Sequence, residues 1–128
     1  MKSEKYEDKK GTLNRKSFAF ALRIVKMTKY LQEKQHEHVL SKQVLRSGTA
    51  VGALVRESEY AQSPADFANK LSIALKEANE TDYWLALLKE AEYIDNSSFT
   101  SMRTDCKELI AILVSSINTI KNRKDGTK

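Results

Sequence analysis

The sequence predicts an all-α fold, an antiparallel up-down-up-down four-helix bundle in a single domain. Three observations carry this expectation. Helix breakers are scarce, with one proline (Pro64) and four glycines in 128 residues, while the good helix formers Ala, Leu, Lys and Glu are abundant. Apolar residues recur at spacings of three and four along four separate segments, the signature of one buried helical face. No stretch alternates with period two for long enough to form a strand. A chain of this length buries one core without disulfides or metals.

The first helix is expected from about Asn14 to Gln35. Phe18, Leu22 and Val25 form one apolar row, and Phe20, Ile24, Met27 and Leu31 form a second beside it. Two rows make a face broader than one helix contact requires, which points to burial on two sides. The second helix is expected from about Val39 to Tyr60, with a heptad-like seam at Leu40, Val44, Ser47, Val51 and Leu54. Gly48 and Gly52 stand one turn apart beside that seam. A glycine inside a helix costs about 1 kcal/mol relative to alanine, so the pair indicates a close helix–helix approach.

The third helix has the clearest start. Ser63-Pro64-Ala65-Asp66 supplies a serine N-cap, a proline at the first helical position and a carboxylate at the third, similar to a capping box. Its seam runs through Phe67, Leu71, Ala74, Ala78, Thr81, Leu85 and Leu88, with Ile73, Trp84, Leu87 and Ala91 as a second row. Extending to about Tyr93, it is expected to be the longest of the four. Asp95-Asn96-Ser97-Ser98 reads as a polar break. The fourth helix then carries Phe99, Met102, Cys106, Leu109, Leu113, Ile117 and Ile120 on one face. The expected organisation is a flexible basic segment at 1–13, the bundle at 14–121 and a disordered basic tail at 122–128.

The net charge of +5 is unevenly distributed. Residues 1–46 carry twelve basic and five acidic side chains, residues 47–98 four and nine, and residues 99–128 six and three. An acidic middle between basic ends suits an anionic partner such as nucleic acid. It equally suits head-to-tail self-association of basic against acidic surface. The single cysteine, Cys106, excludes an intrachain disulfide and fits a reducing compartment. No apolar run approaches the ~20 residues that span a bilayer, and the first ten residues contain no signal-peptide core. The expected setting is the cytoplasm of a bacterium, with no membrane partner.

Catalytic and metal-binding patterns are missing from the sequence. His36 and His38, two residues apart, would fall on different faces of a helix, and no Glu-x-x-His pair of the di-iron bundle type is present. Cys106 lies on an apolar seam, where it reads as a small buried hydrophobe. Gly-rich phosphate loops and nucleophile elbows are absent. No enzyme activity, cofactor or metal is expected. One polar cluster stands out: Gln43, Arg46, Arg56 and Glu57 on the second helix, with Lys76, Glu77, Glu80 and Thr81 on the third. In an antiparallel hairpin Arg46 falls opposite Glu77 and Glu80, and the preferred reading is an ion-pair network that fixes helix register or a subunit contact.

Gln43-Val44-Leu45-Arg46-Ser47, the following Arg56-Glu57, and Lys76-Glu77-Ala78-Asn79-Glu80-Thr81-Asp82-Tyr83-Trp84-Leu85 occur in the order found in a known family. Over residues ~15–120 the chain resembles the four helix bundle proteins, also called 23S rRNA-intervening-sequence proteins. It departs from them at Leu54, where the family usually has asparagine, so a role resting on that amide is not carried over. The resemblance implies a ring, typically a homopentamer. It also implies kinship with the accessory variability determinant of diversity-generating retroelements, a basic bundle that binds nucleic acid and a reverse transcriptase. On this footing the expected function is non-enzymatic nucleic-acid binding, RNA foremost. The alternative is a protein-interaction scaffold, such as an accessory subunit of a reverse transcriptase. The candidate phosphate contacts are Arg15, Lys16, Arg23, Lys26, Lys29 and Lys34, with Arg103, Lys107, Lys121, Arg123 and Lys124. No RNP-type aromatic platform for base stacking is visible.

Overall fold

The computed structural model describes the backbone of residues 2–126 and the side chains of residues 11–123. Within these limits the chain is four helices and no strand: α1 Lys2–Glu33, α2 Leu40–Ser58, α3 Pro64–Glu90 and α4 Asn96–Gly126. Each helix lies beside two others, α1 and α3 both packing on α2 and on α4. The four therefore surround one core. Side chains tie α2 to both of its neighbours in sequence. Asn14 meets Glu59 and Gln32 meets Ser41 between α1 and α2, and Glu57 meets Lys70 while Ser47 meets Thr81 between α2 and α3.

Two helix lengths differ from expectation. Helix α1 starts at Lys2, well before Asn14, so the backbone of the segment expected to be flexible is helical. No breaker but Gly11 interrupts its Lys- and Glu-rich start, and Leu13 already docks into the core. Helix α4 likewise runs on to Gly126, into the expected tail; the rest of that tail, Thr127 and Lys128, lies outside the described residues. In consequence α3, at 27 residues, is shorter than α1 at 32 and α4 at 31 rather than the longest. It stops before Tyr93 because Glu92 turns into the left-handed region at φ 67°. The Glu92 and Tyr93 amides donate back to the Lys89 and Leu88 carbonyls, a C-terminal cap made without glycine.

The starts follow the capping logic. Ser63 Oγ accepts from the Asp66 amide at 3.0 Å. The Asp66 side chain, shorter than the Glu of a full capping box, accepts from the Gln62 amide at 3.2 Å. Asp95 caps α4 by accepting from the Ser98 amide at 2.7 Å, so that helix begins inside the expected break. Helix α2 is anchored by a residue the periodicity did not single out. The buried Glu37 carboxylate accepts from the amides of Val39, Leu40 and Ser41 at 3.1, 3.0 and 2.7 Å. Burial alone would raise this carboxyl, but those amides with the Ser41 side chain outweigh it and hold it below the ordinary value.

The seams predicted for α3 and α4 are buried nearly as written, from Leu71 to Leu88 and from Met102 to Ile117. On α2 the seam drifts off Leu54, which is half-buried, onto Val55 and Ser58. Fully burying each large aliphatic side chain contributes about 1.5–3 kcal/mol. The two glycines of α2 mark its close approach to α1: a Cβ on Gly48 would lie 2.8 Å from Ile24 Cγ1, and one on Gly52 would lie 3.3 Å from the Ser17 carbonyl oxygen.

Candidate functional site

The polar cluster expected between α2 and α3 forms, with a change of character. Arg46 bridges Glu77, at 3.1 Å, and Glu80, which also accepts from Trp84 Nε1 at 2.9 Å. Inside this network the Thr81 hydroxyl stands 2.8 Å from Ser47 Oγ and 2.8 Å from the Glu77 carbonyl, both hydroxyls fully buried. Arg46 itself is half exposed, so the network is a surface clasp over a small buried hydroxyl pair rather than a buried ion pair. Exposed pairs of this kind contribute roughly 0–1 kcal/mol. Arg56 and Glu57 lie apart from it: Glu57 pairs with Lys70 at 3.5 Å, and Arg56 sits 5.9 Å from the centre of the Phe18 ring. Gln43 is exposed.

Four of the candidate phosphate contacts are engaged across helix interfaces. Lys16 pairs with Glu108 at 3.1 Å, and Arg23 pairs with Asp105 at 2.6 Å while donating to Ser101 Oγ at 2.9 Å. Arg103 and Lys107 converge on Asp82 at 3.2 and 3.4 Å. Arg15 reaches the Thr12 hydroxyl within its own helix at 3.3 Å, and Arg123 is exposed near the end of α4. The Lys124 side chain lies outside the described residues. Lys26, Lys29, Lys34 and Lys121 are exposed without an acidic partner among the described residues. Three of those four fall on or just past the second half of α1.

Beside them lies a half-open cleft of about 490 Å³ where α1 meets the start of α4. Its floor is Met27, Ile94 and Met102, and Arg23, Lys26 and Tyr30 stand at its rim. Tyr30 is 45% exposed, and its hydroxyl accepts from Gln35 Nε2 at 2.7 Å. Sequence reasoning passed over Tyr30 because it belongs to neither apolar row. Asp95 and Ser98 complete the wall, with the Asp95 carboxylate occupied by the Ser98 amide and side chain, which hold it below the ordinary carboxylate range.

The second expected feature of α1, burial on two sides, does not occur within one chain. Phe20, Ile24 and Leu31 are buried, whereas Phe18, Leu22 and Val25 are 59%, 47% and 45% exposed. An isolated exposed leucine means little, but three apolar residues at helical spacing form a continuous patch.

Among the described residues no three His, Cys, Asp or Glu side chains converge as a metal site, and His36 and His38 are exposed in the α1–α2 turn. Cys106 packs in the core with Sγ 3.3 Å from the Ala78 carbonyl; burial, reinforced by the Asp82 carboxylate, pushes its thiol up to about 12, leaving it neutral. No described helix is long and apolar enough to cross a membrane.

Comparison with known proteins agrees with the motif reading. The 23S rRNA-intervening sequence protein family matches over residues 9–115. A 1.70 Å crystal structure of a protein of unknown function from the S23 ribosomal protein family of Bacteroides thetaiotaomicron superposes with a TM-score of 0.85. It is 53% identical in sequence, and the match covers 86% of this chain and 98% of that one. No curated relative matches. The motif order, the four helices and this match together place the chain: it belongs to the 23S rRNA-intervening sequence protein family.

Proposed function

We propose that this protein is a non-enzymatic, self-associating bundle that binds nucleic acid, RNA foremost, in the bacterial cytoplasm. The observation that carries the reading is the run of exposed lysines at one end of α1, Lys26, Lys29 and Lys34, which have no acidic partner among the described residues. Unlike Lys16, Arg23, Arg103 and Lys107, these cations lose no partner when they meet a phosphate. The net charge of +5 and the family's association with rRNA support the same reading. A filter-binding titration tests it: sub-micromolar affinity for structured RNA at ~0.1 M salt, falling steeply as salt rises, is the expected result. No binding at that salt defeats the reading.

The helices are read as an up-down-up-down bundle, supported by contacts that run in opposite sense between α1 and α2 and between α2 and α3. The exposed row Phe18, Leu22 and Val25 then supports a homopentameric ring, in which that patch is covered by the next subunit. Light scattering at micromolar concentration should return a multiple of the 14.6 kDa chain mass. Leu22→Lys should dissociate the assembly and leave the helical signal intact. The same exposed row favours a second reading, a scaffold or accessory subunit docking another protein such as a reverse transcriptase. Co-purification with a reverse transcriptase encoded beside it, lost in Leu22→Lys, would support that reading over the first.

A further inference from the structure

We infer that the α1–α4 cleft is the seat of one unpaired nucleotide, with the base stacked on Tyr30 and its phosphate on Lys26. This inference rests on the nucleic-acid reading above and says where and how the nucleic acid is gripped. Four observations converge at this one place. The cleft's volume of about 490 Å³ falls within the ~300–1,000 Å³ of small-ligand sites and admits a nucleoside phosphate. Its floor of Met27, Ile94 and Met102 is apolar and deformable, suited to the face or edge of a base. Tyr30 is exposed at the cleft rim and offers a large flat aromatic face on which a base can stack, while its hydroxyl accepts from Gln35 at 2.7 Å. Lys26, itself at the rim of the cleft, precedes Tyr30 by one helical turn on the same face and is exposed without an acidic partner among the described residues.

Electrostatics separates this cleft from the exposed tyrosines Tyr60 and Tyr83, and the exposed Phe18 ring already has the Arg56 guanidinium 5.9 Å from its centre. Tyr60 follows Glu59, and Tyr83 follows Asp82, in the acidic middle of the chain. Within the cleft, Arg23 is held by Asp105 and Ser101 and serves as wall rather than as a free cation. The one carboxylate on the wall, Asp95, is turned to the Ser98 amide at the start of α4, from which it accepts at 2.7 Å. A single aromatic flanked by lysines reads no sequence; it favours a nucleotide that is already unstacked, in a loop, a bulge or an end, over a base inside a duplex.

The test uses the full chain and two labelled probes of equal length, single-stranded oligoadenylate RNA and a blunt RNA duplex, followed by fluorescence anisotropy. Tyr30→Ala should weaken single-strand binding by about tenfold, as expected when one stacking contact is lost, and leave the duplex affinity unchanged. Tyr30→Phe should restore single-strand binding, whereas Lys26→Ala should weaken both probes alike. Melting curves that coincide with wild type show that Tyr30→Ala remains folded, as its exposure leads one to expect. If wild type binds both probes and Tyr30→Ala changes them equally or not at all, the cleft assignment is overturned while the nucleic-acid reading stands. If wild type binds neither probe, the nucleic-acid reading fails, and the cleft assignment with it.

Discussion

Against α2, helix α1 is drawn in by glycine: Gly48 leaves no room for a Cβ beside Ile24, and Gly52 faces the Ser17 backbone. Against α4 the same helix is held by long charged side chains, Lys16 reaching Glu108 and Arg23 reaching Asp105 and Ser101. The two flanks differ in what they leave behind. Small residues bring backbones together, so the α1–α2 flank is closely packed at Gly48 and Gly52. Paired long side chains tie helices at a distance, and the space beneath them remains as the cleft floored by Met27, Ile94 and Met102. The lesson is that the tight flank supports the fold, while the loosely tied flank is where a ligand can enter.

The largest effect should come from breaking the tight flank. Ile24→Ala should cost about 2–5 kcal/mol of stability in denaturant unfolding, because the side chain is fully buried. Gly48→Ala should cost roughly 0–2 kcal/mol net: overpacking costs about 1–3 kcal/mol, offset in part by the ~1 kcal/mol that alanine contributes to helix propensity. The pair should be non-additive, with Gly48→Ala neutral or stabilising once Ile24 has been trimmed, since the clashing atoms are gone. Simple additivity would show that the close approach is not what glycine is there for.

A smaller effect is expected at Glu37, which ties the turn between α1 and α2. Glu37→Ala should cost about 1–2 kcal/mol near neutral pH, in the range of a lost helix cap. Its carboxyl is held below the ordinary 4.5 in the folded chain, so its contribution is complete above that value and is lost as pH falls through the lower folded-state value. Melting temperatures of wild type and Glu37→Ala should therefore converge on acidification. A gap that persists unchanged at low pH would mean that the amide contacts do not depend on the charge.

The smallest effects should come from the surface clasps. Arg46→Ala and Arg23→Ala should each cost no more than about 1 kcal/mol, because all partners are partly exposed and water screens the charges. Salt sharpens the contrast between the flanks. Added salt should shrink the Arg23→Ala effect and leave the Gly48→Ala effect as it was, since one interaction is Coulombic and the other steric. The reverse ordering would mean that ion pairs, not close packing, govern how α1 is held.

Much of this was readable from residue order. The α3 seam from Leu71 to Leu88, the serine cap at Ser63, the close approach at Gly48 and Gly52, and Arg46 facing Glu77 and Glu80 all follow from spacing and chain direction. The candidate site was less legible. Tyr30 belongs to neither apolar row of α1, and the partners of Arg23 and Lys16 lie on α4, far away in sequence. Glu37 escaped notice because glutamate is an unusual residue at a helix entrance, and its role depends on the turn that buries it.

The sequence by itself determined that this chain is helical, that it forms four helices and which stripe of α3 and α4 faces inward. Those properties arise from local spacing, which a helix imposes on any residues it contains. Only the tertiary structure decided which of the two apolar rows of α1 is covered, which lysines are left without acidic partners, and that a cleft opens beside Tyr30. These depend on how α1 and α4 close against each other across the length of the chain. A row of apolar residues carries no mark of its neighbour, and a lysine's partner is chosen by distance in space.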